Sequence, residues 1–152
     1  MLKKKDKLIL ANLRDDARRS LTAISKQSGI PLTTVFDRHA MLEKSQAMSY
    51  VTLLNYPLLG YNVRVRIAIA SNEPWDKHVE YLVTHKNINS VFRTSSPKGF
   101  IVEAIFKSMS ELEAFLEQLD KMKLKQREVY HIIEPLAEEV FYTTKDFDVL
   151  GY

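Results

Sequence analysis

The segment between Ser20 and Leu53 constrains the fold most, because it places a glycine between two short helical patterns. Ser20 is suited to cap the first helix, since its hydroxyl can accept a hydrogen bond from a free backbone N–H. Gly29 stands where a residue with a left-handed backbone would end that helix. Pro31 suits the start of the next helix, where its missing N–H costs no hydrogen bond. The sequence therefore predicts a helix-turn-helix, a motif whose second helix can lie in the major groove of DNA.

The second helix of this motif is predicted over residues 32–44 and carries the candidate DNA contacts. Val35 and Leu42 define its buried face, and His39 is expected on that side as a partly buried, hydrogen-bonded residue. Hydroxyl, carboxylate and guanidinium groups on the outer faces can bind base edges, and lysines near them can bind phosphates. The predicted DNA-binding residues are Thr33, Thr34, Asp37, Arg38, Lys26 and Lys44.

The neighbouring segments complete an N-terminal domain. Residues 3–14 are predicted to form a helix, because apolar residues recur there at helical spacing behind a cluster of lysines. Residues 47–53 are predicted to form a short strand or hairpin arm, a wing that follows the third helix. Residues 54–61 contain Pro and Gly and indicate a hinge or linker. A winged helix-turn-helix DNA-binding domain is therefore predicted over residues 1–53.

Residues 62–152 are predicted to form a second domain with the element order βαββαβ. Apolar residues alternate along the first strand, and a capping serine announces the second helix. The predicted strands are 63–70, 90–94, 100–106 and 127–133. Pro74 opens the first helix, whose apolar stripe is Trp75, Val79, Leu82 and Val83, and the second helix follows Ser108. The tail from Leu136 adds an irregular segment or edge strand. This order is that of a ferredoxin-like sandwich, so the fold class is α+β.

Charge is distributed unevenly along the chain. Residues 1–50 carry ten Lys or Arg against five Asp or Glu, whereas the remaining residues carry 12 against 14. A basic N-terminal part fits a domain that binds a polyanion such as double-stranded DNA. The chain contains no cysteine, and its histidines lack the spacing of metal ligands, so neither a disulfide nor a metal site is predicted.

The sequence does not favour an enzyme or a membrane protein. It contains no Gly-rich phosphate loop, no Gly-x-Ser-x-Gly motif and no cluster of metal ligands, so no catalytic residue and no cofactor are predicted. No apolar run approaches the roughly 18 residues that span a membrane. The first residues lack the apolar core of a signal peptide. We therefore expect a cytoplasmic protein without a membrane partner.

In their order and spacing, the motifs of both halves resemble the Lrp/AsnC (leucine-responsive/asparagine-type) transcription regulators. The most specific matches are Gly29-Ile30, Thr33-Thr34-Val35, Arg38, Leu42-Glu43 and the linker from Leu54 to Tyr61. The resemblance covers almost the whole chain. It implies a winged helix-turn-helix joined to an effector domain that dimerises by packing sheets together, and the dimers often assemble further.

The resemblance also implies that amino acids or related metabolites bind near the turn between the second and third effector strands, at subunit interfaces. In this chain the turn reads Ser95-Ser-Pro-Lys-Gly99, in place of the acidic, Tyr-containing turn of the family. An ordinary hairpin connection is the alternative use of this turn. The candidate effector-binding residues are Ser95, Ser96, Lys98 and Gly99.

Four further positions separate the chain from the family pattern or bear on its dimer. The family usually has Ser in place of Pro31 and Gly in place of Gln46. Arg64 and Arg66 lie opposite the valines of the first strand, so in a sheet that packs against a partner sheet they require acidic mates. We expect an ion pair across the dimer interface, with Glu103 and Glu128 as the acids available.

The predicted function is that of a sequence-specific DNA-binding transcriptional regulator. It would bind a pseudo-palindrome in double-stranded DNA as a homodimer or higher homo-oligomer, modulated by an amino acid or related metabolite. One alternative is an architectural, nucleoid-type protein that binds DNA with little sequence preference. Another is a protein-interaction or ligand-interaction module whose helix-turn-helix no longer binds DNA, and an enzyme of ferredoxin-like fold is the remote third option.

Overall fold

The computed structural model describes residues 2–71, 76–95, 99–122 and 124–148. Contacts divide the chain into two units. The first unit contains the residues up to Leu53 together with those from Ala137, and the second unit runs from Leu54 to Leu136. The chain therefore leaves the first unit once and returns to it near the C-terminus.

The N-terminal part of the first unit consists of helices around a shared core, and their bounds are α1 (Lys4–Asp15), α2 (Leu21–Ser28) and α3 (Leu32–Lys44). The bounds predicted from the sequence agree with these to within a residue. Apolar side chains from each helix and from the turn meet in the core, which contains Ile9, Leu13, Ile24, Ile30, Val35 and Leu42. This packing fixes how α3 is presented to solvent.

The predicted strand over residues 47–53 is wrong. Residues 48–55 have no regular secondary structure, although the segment follows α3 as expected. An isolated strand is marginal without a neighbour that pairs with its backbone groups, and no ladder partner for this segment exists among the described residues. The wing of this helix-turn-helix is therefore an irregular arm. The linker that follows contains a single 3₁₀ turn (Pro57–Leu59), which Gly60 ends with a φ of +82°.

The C-terminal tail (residues 137–148) packs on α1 and does not join the sheet. The expected edge strand does not occur in the described part of the tail, which is irregular and then forms α6 (Thr144–Asp148). Pro135 lacks the N–H that would continue a ladder, so strand pairing stops before the tail begins. The predicted second domain extended to residue 152, whereas the contacts of the tail group it with the first unit.

Polar contacts at the end of α1 hold the tail. Arg14 forms an ion pair with Glu139, and its Nε donates a hydrogen bond to the backbone carbonyl of Phe141 at 3.3 Å. The backbone N–H and the hydroxyl of Thr144 both donate to the Asp15 carboxylate. These groups are exposed, so water weakens each contact.

Deletion of the chain from Ala137 onward is expected to lower the stability of α1 by about 1 kcal/mol, because α1 loses several exposed polar contacts at once. Amide hydrogen exchange of the α1 backbone measures this directly, since a loss of that size speeds exchange about fivefold. A shorter deletion from Thr144, which keeps the Arg14 contacts, should produce a smaller change. Unchanged α1 protection in the longer deletion would show that the tail does not stabilise the helix.

The second unit contains an antiparallel sheet with the strand order β2-β3-β1-β4. Its elements are β1 (Val63–Ser71), α4 (Asp76–Thr84), β2 (Ile88–Arg93), β3 (Gly99–Phe106), α5 (Met109–Asp120) and β4 (Leu124–His131). This is the βαββαβ order that the sequence predicted, and it confirms the α+β, ferredoxin-like fold class. β4 begins and ends earlier than predicted, and Ile133 lies beyond it with 97% of its surface exposed.

One face of the sheet is covered by the two helices, as the alternation along β1 predicted. On this face the side chains of β1 from Val65 to Ile69 and of β3 from Phe100 to Phe106 are fully or almost fully buried, and they pack with Leu82 of α4 and Phe115 of α5. The predicted stripe on α4 is wrong at Val83, which is 59% exposed. Val83 lies one residue, and so about 100° around the helix, from the buried Leu82. Pro74, predicted to open the helix, and Trp75, predicted to belong to the stripe, lie outside the described residues.

Candidate nucleic-acid interface

Local hydrogen bonds shape the turn between α2 and α3. The backbone N–H of Ala23 donates to the Ser20 hydroxyl at 3.1 Å, which caps α2 as predicted. Gly29 has a φ of +67°, a left-handed conformation that favours glycine. The Ser25 hydroxyl donates to the backbone carbonyl of Ile30 at 2.6 Å, and the Ile30 side chain is buried in the core. The turn is therefore held at both ends, and it determines the direction in which α3 begins.

The outward face of α3 presents polar side chains to solvent. Val35 and Leu42 are fully buried on the opposite side of the helix, whereas Thr33, Asp37 and Lys44 are exposed. Thr34 is half-buried on one flank, and Lys26 is exposed in the last turn of α2. Pro31 supplies no side-chain cap, so the first N–H groups of α3 remain available to a phosphate.

Arg38 lies half-buried on the flank of α3 and not on its fully exposed side, and its predicted contact with DNA stays a prediction. Its Nη1 is 3.7 Å from Oδ1 of Asp6 on α1, and 30% of the Arg38 side chain is exposed. Asp6 is 1% exposed, and its Oδ2 accepts a hydrogen bond from the backbone N–H of Lys3 at 2.8 Å. In the described part of the chain, the carboxylate that forms an ion pair with Arg38 is that of Asp6. Arg38 is therefore paired with a buried charge on the flank of α3.

Phe36 is a surface feature of α3 that sequence reasoning missed. Its side chain is 56% exposed, and in the described chain it is not among the residues packed on the core of this unit. The helical periodicity could have identified it, because Phe36 lies about 100° from Val35 and thus outside the buried stripe. An exposed aromatic ring is unusual on a helix that presents mainly polar groups.

Helix α3 and the irregular arm are joined by side-chain contacts. His39 is half-buried, and its Nε2 forms a hydrogen bond with the Tyr50 hydroxyl at 2.8 Å. Its Nδ1 is 3.5 Å from the Glu43 carboxylate. Burial, and to a smaller extent the Glu43 charge, raises the pKa of the Tyr50 phenol. The prediction of a partly buried, hydrogen-bonded His39 is confirmed.

In the second unit, the sheet face opposite the helices is partly apolar and exposed. The register of the strands places Arg64, Arg66, Ile101 and Glu103 on this open face, together with Phe92 and Tyr130. Phe92 is 58% exposed and Tyr130 is 55% exposed. The open face therefore carries large, exposed aromatic side chains.

Arg64 was expected to form an ion pair across a dimer interface, but it pairs with an acid of its own chain. Its Nε donates to Oε1 of Glu103 at 2.8 Å, and Asn89 Nδ2 donates to Oε2 of the same carboxylate at 2.9 Å. Adjacent strands bring these residues together, so a partner chain is not needed to neutralise Arg64. Burial raises the pKa of Glu103, but the hydrogen bonds from Asn89 and Arg64 and the charges of Arg64 and Arg66 outweigh it and leave the pKa below its ordinary value.

A cavity of about 320 Å³ lies at one end of the open face, beside the predicted effector turn. Ser95 and Gly99 line it together with Ala68, Ile101 and Glu128. The backbone N–H of Thr94 donates to the Gly99 carbonyl at 3.0 Å and closes the described part of the turn. The other two candidate residues, Ser96 and Lys98, lie outside the described residues. In the described part of the chain, no group of three or more side chains is arranged to hold a metal ion, and no helix is long and apolar enough to cross a membrane.

Comparisons with known proteins agree with the helix-turn-helix and the α+β fold described above. A family model for winged helix-turn-helix DNA-binding matches residues 2–46. An HTH-type transcriptional regulator of Pyrococcus furiosus is 31% identical over 80% of this chain and 82% of its own length. AsnC of E. coli superposes with a TM-score of 0.80 at 16% identity, over 93% of this chain and 99% of AsnC. The LrpC structure of B. subtilis gives 0.78 at 19% identity, over 90% and 98% of the two chains. The chain belongs to the Lrp/AsnC family.

This Lrp/AsnC protein is a DNA-binding transcriptional regulator. One of its departures from the family pattern has a visible structural cost. Gln46, which stands where the family usually has Gly, has a φ of +56°. A left-handed backbone is unfavourable for a residue with a Cβ atom, so the turn out of α3 is strained by roughly 1 kcal/mol. Pro31, a further departure, precedes the first residue of α3 and does not disturb the helix.

Proposed function

We propose that this regulator reads specific sequences in duplex DNA with α3. The observation that supports the proposal most is the outward face of α3, where Thr33, Asp37 and Lys44 are exposed while the opposite side is anchored in the core. A hydroxyl, a carboxylate and an ammonium group on one rigid helix can bind base edges and phosphates together. Thr34 and Lys26 contribute phosphate contacts from either side, and Arg38 contributes from the flank.

Selection from a random pool of duplexes, with the purified full-length chain, tests this proposal. The recovered duplexes should share a sequence with two inverted half-sites, whose centres are separated by one helical turn of about 10 base pairs or a multiple of it. A pool that remains random after repeated rounds would contradict sequence-specific binding. Because such a regulator acts on chromosomal DNA, the proposed place of action is the cytoplasm.

We also propose that the chain forms a homodimer through the open face of the sheet. The exposed rings of Phe92 and Tyr130 and the exposed side chain of Ile101 support this, since aromatic residues are enriched in protein interfaces. The Arg64–Glu103 pair also supports it, because two of the charges on this face neutralise each other within the chain, which lowers the desolvation cost of covering them. A dimer of this kind holds two α3 helices for two half-sites. Once one helix is bound, the effective concentration of the second helix at its half-site is raised.

Replacement of Phe92 with aspartate is expected to weaken the dimer at least a hundredfold, because it buries an unpaired charge in the apolar part of the interface. Sedimentation of the full chain should then show the monomer mass at concentrations where the unsubstituted chain is dimeric. Val83→Asp is the matched control, since Val83 is equally exposed but lies on α4, away from the open face. A Phe92→Asp variant that sediments like Val83→Asp would place the dimer interface elsewhere.

We further propose that an amino acid or related metabolite binds at the cavity beside the effector turn. The volume of about 320 Å³ is sufficient for a small ligand, and the Ser95 side chain and the Gly99 backbone offer polar contacts. A structurally similar regulator of Neisseria meningitidis, with a TM-score of 0.79 at 16% identity over 91% and 94% of the two chains, was solved in complex with L-Met. Repeating the selection with individual amino acids tests this part: an effector should change the yield or the spacing of recovered half-sites.

A further inference from the structure

The outward side of α3 carries a non-polar strip that the polar DNA contacts do not explain. Phe36 is 56% exposed, and the exposed residues Thr33 and Ala40 lie one turn before and after it on the same side. The strip therefore consists of the Thr33 methyl group, the Phe36 ring and the Ala40 methyl group. It lies directly beside Asp37 on the helix surface, within the face that would meet DNA.

More than half of the surface of Phe36 lies outside the packing of its own unit. The core of the unit contains Val35 and Leu42 from α3. The partly buried side chains packed on that core in the described chain are Leu2, Leu8, Leu10, Leu21 and Met48, and Phe36 is not among them. A large ring that contributes little to the core and lies on the presented face of α3 is available to a ligand.

The major groove offers one apolar group at base edges, the 5-methyl group of thymine, and small apolar or aromatic side chains are its partners. Arg38, the side chain best suited to guanine, is turned toward Asp6 on the flank of α3. The outward face thus offers apolar groups to thymine methyls beside its polar groups. We infer that Phe36 is a specificity-determining residue that contacts thymine methyl groups in each half-site. This inference rests on the proposed function, in which α3 enters the major groove.

Methyl-deletion analysis of the selected duplex tests the inference. Each thymine is replaced in turn by deoxyuridine, which removes only the methyl group, and the affinities of the full chain and of Phe36→Ala are compared. At one or more positions in each half-site, loss of the methyl group should weaken binding by the unsubstituted chain about fourfold, the factor expected for one buried methyl-sized group. The Phe36→Ala variant should bind the thymine duplex more weakly and should not distinguish thymine from deoxyuridine at those positions.

Leu53→Ala is the matched control, because it truncates an exposed apolar side chain of the same unit outside α3. It should keep the methyl sensitivity of the unsubstituted chain. If no thymine methyl affects binding, or if Phe36→Ala retains the full sensitivity, the inference is wrong while sequence-specific binding stands. If the selection yields no preferred sequence, the proposed function fails and the inference fails with it.

Discussion

Replacement of Arg38 with alanine is expected to lower the free energy of unfolding of the DNA-binding helices by about 2 to 3 kcal/mol. The reason is that Asp6 is almost completely buried and has Arg38 as its charged partner at 3.7 Å. Removal of one member of a buried pair leaves the other charge without compensation, and this costs more than the pair itself contributes. The expected loss is below that of a fully buried pair because part of the Arg38 side chain reaches solvent.

A double-mutant cycle with Asp6→Asn separates this effect from DNA recognition. Asparagine keeps the size of the side chain and an acceptor for the Lys3 N–H but removes the charge, so Asp6→Asn/Arg38→Ala should recover most of the lost stability. Hydrogen exchange of the α1 and α3 amides measures the stability of this unit alone. An Arg38→Ala variant within about 0.5 kcal/mol of the unsubstituted chain would show that Asp6 does not depend on Arg38. The stabilised double variant can then be tested for DNA discrimination without partial unfolding.

The second large effect is expected at Glu103, on the open face of the sheet. Glu103→Gln should destabilise the second unit by about 2 kcal/mol at neutral pH, because the carboxylate accepts charge-assisted hydrogen bonds from Arg64 and a further bond from Asn89. Glutamine retains the shape and one acceptor but removes the negative charge that pairs with the partly buried Arg64. Thermal unfolding of the two proteins measures the difference.

The Glu103 effect should depend on pH in a defined direction. The pKa of Glu103 is lowered in the folded chain, so the carboxylate stabilises the fold fully above the ordinary pKa of 4.5. That contribution is lost as the pH falls through the lower, folded-state pKa. The difference in unfolding temperature from Glu103→Gln should therefore be constant near neutrality and shrink in acid. Glu117→Gln, an exposed position on α5, should show little difference at any pH. A Glu103→Gln difference that persists unchanged in acid would contradict the role of its charge.

Local signals were sufficient to predict most of the fold. The Ser20 cap, the left-handed Gly29 and the alternation along β1 each depend on residues only a few positions apart. The neighbouring sequence is therefore enough to predict these features. The irregular arm after α3 was not predictable in the same way. A strand exists only when a second segment pairs with it, and that partner is not encoded in the alternation of residues 47–53.

The contacts of Arg38 and of the tail depend on residues far apart in the sequence. Asp6 lies on the same buried side of α1 as Ile9 and Leu13. An acidic residue in that position indicates that a cation from another segment pairs with it. Which cation pairs with it depends on how α1 and α3 cross. The tail carries no apolar periodicity, and its position depends on polar contacts with Arg14 and Asp15 more than a hundred residues earlier.

The central claim is that α3 reads DNA sequence, and the most direct measurement is a titration of the full chain against its selected duplex and a scrambled duplex of equal composition. Fluorescence anisotropy at two salt concentrations gives both affinities and their salt dependence. A sequence-reading regulator should bind the selected duplex about a thousandfold more tightly than the scrambled one, with similar salt slopes for both. Equal affinities that fall steeply together as salt increases would contradict the claim and would identify an architectural protein that binds only the DNA backbone.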